Sequence, residues 1–316
     1  MKKLTLTAWL VGASLLPLTF ASPVFSQENT QAASTNSIVP DNLTEEQLGE
    51  WVEKLNAYTK LYNETSRVSQ SWSRYKSWVK SKDGPTGKEK IVYGLYSVSD
   101  SLAKTEAPKA IEASKQDPKM GSIDTTAVKL SEAVIKLDPI LKKAYDYYNR
   151  KDYTDDKFAL GKEMHPALSA AFTEAVTLRE TFDKELTAIK DNVDLQFLNH
   201  LEKTEGKKYK WQKKNILMAS QKAVEALQNV SSKSDLPSFS EAIKKYAASV
   251  REFDDYMAGA DDIPTFASAM KSRPASLLSY LRSARESLEK NDITWFNNHA
   301  RSAVSEYNTL ISLSRH

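Results

Sequence analysis

The sequence contains no cysteine, and this absence excludes several classes of site. Disulfide bonds, cysteine nucleophiles, thiolate metal sites and lipid attachment through a cysteine thioether all require that residue. Glycine is also scarce, with 9 in 316 residues. Because sheet-rich folds and phosphate-binding loops use glycine heavily, the low count favours a helical fold.

Neither sign of charge dominates the chain, since 44 Lys+Arg residues face 41 Asp+Glu residues. This balance does not favour a polyanionic partner for the chain as a whole. The hydrophobic fraction of 41% is ordinary for a folded domain and fits amphipathic helices. No apolar run after residue 21 is long enough to span a bilayer, so we expect no transmembrane helix once a leader is removed.

The first 26 residues have the three-part pattern of a secretory signal peptide. Two lysines precede an apolar stretch over residues 4–21, and small residues then permit cleavage between Ser26 and Gln27. An uncleaved anchor helix is the alternative, but the stretch is slightly short for one and a proline interrupts it. We therefore predict that residues 1–26 are a signal peptide and that the protein is periplasmic or secreted. Export argues against nucleic acid as a partner.

The rest of the chain is organised by apolar residues that recur at spacings of three and four. Residues 27–43 lack this pattern and are polar and small, which predicts a disordered polar tether. From residue 44 onward the spacing predicts an all-α fold, an elongated bundle of long amphipathic helices over residues 44–313. The length is compatible with one domain or two, and a single bundle is favoured.

Capping patterns predict where the first two helices begin. Thr44 and Gln47 form a capping box, from which a helix of about nine turns extends to the Gly-Pro pair at residue 84. Thr86 and Glu89 have the same spacing and predict a second helix, which runs to residue 102 and returns along the first.

Prolines and periodicity predict the remaining helices. Asp138-Pro139 predicts a new or kinked helix, and His165-Pro166 predicts the start of a long one. Further helices are expected at about residues 207–229, 238–258, 274–290 and 293–313.

The strongest charge run lies over residues 207–214, where five lysines accompany two aromatic residues. In an exported protein, such a run is suited to anionic lipid headgroups or lipopolysaccharide. The alternative is a solvated helix surface with the tryptophan turned into the bundle. The candidate envelope-binding residues are Lys207, Lys208, Tyr209, Lys210, Trp211, Lys213 and Lys214.

A second candidate site gathers carboxylates and one imidazole. Asp155, Asp156, Glu163 and His165 are residue types that hold divalent metals in hydrolases. Their spacing matches no calcium loop, and the neighbouring lysines make a solvated connector the alternative. The loop over residues 84–89 lacks the glycine spacing of a nucleotide-binding loop, and no serine-nucleophile motif is present. We therefore predict neither a cofactor nor catalysis.

Several stretches resemble a known family. They are WSRYKSW at residues 72–78, GPTGKEKIVYGLY at residues 84–96 and YYNRKDYTDD at residues 147–156. Together they resemble the YiiG-like bacterial envelope proteins, a family defined by a domain of unknown function, over about residues 45–313. The resemblance implies export and a mainly helical domain, and it supplies no catalytic or binding residues. Many members look like lipoproteins with a cysteine at the mature N-terminus, which this chain lacks.

These observations predict an exported, non-catalytic helical protein that binds another protein or a component of the cell envelope. One alternative is a binder of anionic lipid or lipopolysaccharide that uses residues 207–214. The other is a metal-dependent hydrolase that uses the carboxylates and the histidine between residues 155 and 165.

Overall fold

A computed structural model describes residues 38–314, apart from the side chain of Phe266. The predicted signal peptide, its cleavage point and most of the predicted tether lie outside these residues. The described part of the chain contains helices and no strand, which confirms the all-α fold. It divides into two compact units, residues 38–193 and 194–314. The single domain over residues 44–313 stays a prediction.

The first unit begins with the predicted capping box. The Thr44 side chain accepts a hydrogen bond from the Gln47 amide, and the Gln47 side chain accepts one from the Thr44 amide. Val39 and Leu43 are buried, so packing begins ahead of the first helix. The helices that lie in this unit or begin in it are α1 (Glu45–Trp78), α2 (Ala107–Lys115), α3 (Ser122–Arg150), α4 (Tyr153–Asp156) and α5 (Ala159–Glu205).

Aromatic rings from α1 and α5 build much of the core of this unit. Trp72 stacks on Phe172 with ring centroids 5.2 Å apart, and Tyr58 meets Phe182 edge-on at 5.7 Å. Such pairs stabilise a core beyond the area that they bury. Tyr58 and Trp72 lie fourteen residues apart on α1, which is close to four helical turns, so one face of α1 contacts α5 at both positions.

The prediction of a helix after Thr86 is wrong, because residues 79–99 are non-helical. The Glu89 carboxylate instead accepts hydrogen bonds from the amides of Thr86 and Gly87, at 2.6 and 2.8 Å. The same two residues that suggested a capping box thus close a tight turn. Gly87 has a positive φ of 83°, which a helix cannot contain.

The non-helical segment does return along α1, and side chains of α1 hold it there. The Ser71 hydroxyl donates to the Tyr96 carbonyl and accepts from the Tyr96 amide, both at 3.1 Å. The Trp78 indole donates to the Gly94 carbonyl at 3.0 Å. These bonds satisfy backbone groups that a helix would have paired internally.

Neither of the predicted proline boundaries begins a helix. α3 continues through Pro139, and α5 starts at Ala159 and continues through Pro166. A proline inside a helix removes one backbone hydrogen bond, but buried neighbours offset that cost. Leu137 and Leu141 flank Pro139 and are both buried in the core.

The second unit contains the end of α5 and four of the predicted helices. Their bounds agree with the sequence prediction to within a few residues: α6 (Tyr209–Gln228), α7 (Leu236–Gly259), α8 (Arg273–Glu289) and α9 (Ile293–Leu313). Among residues 38–314, no helix combines the length and the apolarity that crossing a bilayer requires.

Gly84 lies in the turn that follows α1, and its substitution tests how tightly this turn packs against His165. Its φ is +96°, and a Cβ atom at this position would lie 2.8 Å from the Cβ of His165. His165 is buried, and its Nδ1 atom is hydrogen-bonded to the Tyr75 hydroxyl at 3.0 Å. Both the backbone strain and the clash oppose a side chain, so Gly84→Ala should lower the free energy of unfolding by about 2–3 kcal/mol.

Gly49 provides the matched control for this measurement by urea denaturation. It lies within α1, and a Cβ atom there would meet nothing within 4 Å. Gly49→Ala should therefore raise the free energy of unfolding by about 0.5–1 kcal/mol, through helix propensity. Equal effects of the two substitutions would contradict the tight packing at Gly84.

Candidate functional site

The lysine run over residues 207–214 does not form one exposed surface. Tyr209 and Trp211 are buried in the second unit. Lys214 is also buried, and its Nζ atom lies 2.7 Å from the carboxylate of Asp194. Lys213 is half-buried, and burial lowers the pKa of its ammonium group. Two of the five lysines, Lys213 and Lys214, are therefore at least half-buried and are not available as a free basic surface.

The exposed lysines of the run lie close to acidic side chains. Lys210 Nζ is 2.7 Å from the Glu205 carboxylate, and Lys207 Nζ is 3.6 Å from that of Glu252. Lys208 is exposed. Much of the positive charge that the sequence showed is therefore compensated locally. Envelope binding through this run stays a prediction.

The four candidate metal ligands are not brought together. His165 is buried, and both of its ring nitrogens form hydrogen bonds inside the first unit, one of them to Tyr75. Asp156 accepts hydrogen bonds from a tyrosine hydroxyl and a backbone amide, whereas Asp155 and Glu163 are exposed. Among residues 38–314, no group of three or more histidine or acidic side chains could hold a metal ion.

A different basic region is apparent in the structure, around the non-helical segment. Residues 67–97 contain seven Lys or Arg residues and two Asp or Glu residues. Within the described part of the chain, none of the seven forms an ion pair with a carboxylate. We call these seven residues the basic segment: Arg67, Arg74, Lys76, Lys80, Lys82, Lys88 and Lys90.

Arg74 is held in place by the returning chain. Its Nε atom donates to the Tyr93 carbonyl at 2.7 Å. Its guanidinium lies 4.4 Å from the centroid of the Tyr96 ring and 5.8 Å from that of Tyr93. One hydrogen bond and two aromatic rings therefore fix this side chain.

Arg67 reaches the same ring from two turns earlier on α1. Its guanidinium lies 4.1 Å from the Tyr96 centroid, and its Nε atom donates to the Ser97 carbonyl at 3.3 Å. One Nη atom donates to the Gln70 side chain at 2.9 Å. Residues seven positions apart share a helix face, which explains why both arginines meet one tyrosine.

The two arginines retain donors that no protein group uses. Within residues 38–314, Arg74 has both Nη atoms and Arg67 has one Nη atom without an acceptor. Guanidinium edges of this kind bind phosphate or carboxylate groups through paired N–H···O bonds. The face of the Tyr96 ring attracts both cations and eases their mutual repulsion. We call Arg67, Arg74, Tyr93 and Tyr96 the arginine–tyrosine cluster.

Sequence reasoning missed this cluster, although part of its signal was present. The lysines between residues 76 and 90 are as numerous as those of the run at 207–214. From the sequence, the loop over residues 84–89 is weighed as a helix cap and as a nucleotide-binding loop, and in neither case as part of a basic surface. The convergence of Arg67 and Arg74 on Tyr96 depends on the returning chain, which the helical prediction did not contain.

A second surface feature lies between α8 and α9. A cavity of about 230 Å³ is found beside Trp295, which is 57% exposed and stacks on His299. Glu286 and Lys290 line the cavity and form an ion pair with each other at 2.6 Å. The charges there are compensated, in contrast to those of the arginine–tyrosine cluster, which we therefore take as the candidate site.

Comparison with known proteins confirms the resemblance to the YiiG-like family. The model of the family described as "Protein of unknown function (DUF3829)" matches residues 49–312. The uncharacterized protein YiiG of Escherichia coli (strain K12) is 31% identical over 172 residues, which cover 53% of this chain and 48% of YiiG. The chain thus spans about half the length of this curated relative. No solved structure matches the chain.

Proposed function

Since this chain belongs to the DUF3829 family of proteins of unknown function, we propose a role from its own surface: an exported, non-catalytic protein that binds an anionic component of the cell envelope. One observation carries the proposal. Two guanidinium groups, of Arg67 and Arg74, meet at one ring, and no carboxylate among the described residues pairs with either. Export is supported by the signal pattern of residues 1–26.

The chemistry of the cluster favours anions that carry phosphate. A guanidinium group presents a planar fork that matches two phosphate oxygens, and arginine keeps its charge at any physiological pH. The five lysines of the basic segment extend the positive potential beyond the two arginines. At physiological salt this potential acts over a distance of about 8 Å.

A binding role is also supported by the hydrogen bonds of His165 and Asp156, two of the candidate acid–base groups. His165 joins the Tyr75 hydroxyl to the Lys82 carbonyl, and Asp156 ties the Tyr147 hydroxyl to the start of α5. These contacts hold helices and the turn together. They give His165 and Asp156 structural roles, which supports a binding protein over the metal-dependent hydrolase.

Polyphosphate, a soluble phosphate polymer, provides a direct probe of the proposed function. Arg67→Gln combined with Arg74→Gln should weaken its binding about 30-fold at low salt, because each arginine near an anionic surface contributes about 1 kcal/mol. Isothermal titration calorimetry on the full chain measures the change. Binding should also weaken as salt is raised.

The lysine run supplies a control variant with the same change in net charge. Lys207→Gln combined with Lys210→Gln also removes two cations, but both lysines already lie beside acids. This variant should bind polyphosphate nearly as well as the unmodified protein. If both double variants lose the same affinity, binding follows net charge alone and the proposed site is wrong.

A further inference from the structure

Two large apolar side chains are exposed on the segment that carries the basic residues. Ile91 is 56% exposed and Tyr93 is 47% exposed. Tyr93 belongs to the arginine–tyrosine cluster through its contact with Arg74, and Ile91 precedes it by two residues. Exposed apolar side chains are common singly, but here they adjoin unpaired cations.

The surrounding contacts hold this part of the chain in one conformation. The backbone carbonyls of Tyr93, Gly94, Tyr96 and Ser97 each accept a hydrogen bond from a side chain of α1. Little conformational entropy is then lost when a ligand binds. The exposure of Ile91 and Tyr93 is therefore a property of an ordered surface.

Acidic side chains do little to oppose an anionic partner here. Of the two acids in residues 67–97, Glu89 has its carboxylate bound by the amides of Thr86 and Gly87. Asp83 is exposed, and residues 67–97 contain seven Lys or Arg residues against these two acids.

We infer that the anionic component is the headgroup surface of a phospholipid bilayer, which the basic segment binds while Ile91 and Tyr93 enter the interface. This inference rests on the proposed function and names its partner. Guanidinium and ammonium groups meet the lipid phosphates, a tyrosine ring sits at headgroup level, and an isoleucine side chain leaves water. A soluble polyanion would satisfy the cations but would leave Ile91 in water.

Vesicle co-sedimentation with the full chain tests the inference. The protein should bind vesicles of phosphatidylcholine with phosphatidylglycerol, and should not bind vesicles of phosphatidylcholine alone. Ile91→Ser combined with Tyr93→Ser should weaken binding to the anionic vesicles by about tenfold or more, through the lost burial of apolar surface. Ile91→Ser alone, which leaves the arginine–tyrosine cluster intact, should also weaken binding to the anionic vesicles. This single variant should bind polyphosphate as well as the unmodified protein does.

A matched pair of exposed residues elsewhere in the chain serves as the control. Ile135 and Tyr280 are 39% and 38% exposed and lie outside the basic segment. Ile135→Ser combined with Tyr280→Ser should leave vesicle binding unchanged. Equal losses in the two double variants, or no loss at Ile91 and Tyr93, would overturn the inference.

The two probes separate the inference from the proposed function. Binding of polyphosphate without binding of anionic vesicles would overturn the bilayer as partner and would leave the proposed function standing. Failure to bind either probe would overturn both. Binding of the anionic vesicles that depends on Ile91, Tyr93 and the two arginines would support both.

Discussion

Replacing Lys214 with methionine should lower the free energy of unfolding by about 3–5 kcal/mol, because it removes the cation from a buried ion pair. The side chains of Lys214 and Asp194 are 7% and 3% exposed, and their charged groups are 2.7 Å apart. Without the ammonium group, the Asp194 carboxylate remains out of water and loses this compensating charge. Urea denaturation followed by circular dichroism measures the loss.

The neighbouring Lys210 provides the control within the same run of lysines. It also pairs with a carboxylate at 2.7 Å, but the side chains of Lys210 and Glu205 are 67% and 38% exposed. Lys210→Met should therefore cost less than about 1 kcal/mol. If the two single variants lose similar stability, the buried pair does not have the structural role that we assign to it.

A double variant distinguishes the loss of the ion pair from the loss of packing around it as the cause of the lower stability. Lys214→Met combined with Asp194→Leu replaces two buried charges with two apolar side chains of comparable size. Most of the stability lost in the single variant should return, since a buried ion pair and a well-packed apolar pair differ little in net free energy. A double variant as unstable as the single one would assign the loss to packing.

The helices that the sequence predicted well are those whose ends carry local signals. The Thr44 capping box and the spacing of apolar residues in α6 to α9 depend on neighbours a few positions away, and the structure confirms them. The segment after Gly84 has a local helix signal as well. The prediction of a helix there is wrong because side chains of α1, Ser71 and Trp78, form hydrogen bonds with the backbone of this segment.

The candidate site was harder to predict, because a sequence shows charges without their partners. Lys207 meets Glu252 and Lys214 meets Asp194, and neither acid adjoins the lysine run in the chain. The cations of the basic segment, in contrast, have no such acidic partners within residues 38–314. Its lysines and arginines resemble any other charge run in the sequence, and only the fold shows that no carboxylate among the described residues pairs with them.

The second large effect is expected at Asp124, in the first turn of α3. Its carboxylate lies 2.9 Å from Lys54 Nζ, and it accepts hydrogen bonds from the Tyr58 hydroxyl and the Met120 amide. The Lys54 side chain is 2% exposed. Asp124→Ala should therefore cost about 3–5 kcal/mol, measured by urea denaturation, because it leaves a buried ammonium group without this carboxylate.

Asp138 supplies the control on the same helix. It pairs with Lys142 at 2.7 Å, and Lys142 is 41% exposed and has a second partner in Asp100. Asp138→Ala should cost less than about 1 kcal/mol. Equal losses at the two aspartates would contradict the structural role of the buried network.

The Asp124 network should differ from the Lys214 pair in how far it can be rescued. Lys54 Nζ also donates to the carbonyls of Gln116 and Pro118, at 3.0 and 2.9 Å. Replacing Lys54 and Asp124 together with apolar residues would remove this donor from the part-buried Pro118 carbonyl. It would also remove the carboxylate to which the Tyr58 hydroxyl and the Met120 amide donate, at a cost of about 1–3 kcal/mol for each group left unpaired. The double variant should therefore recover little stability. Full recovery would mean that Lys54 does not hold the loop between α2 and α3.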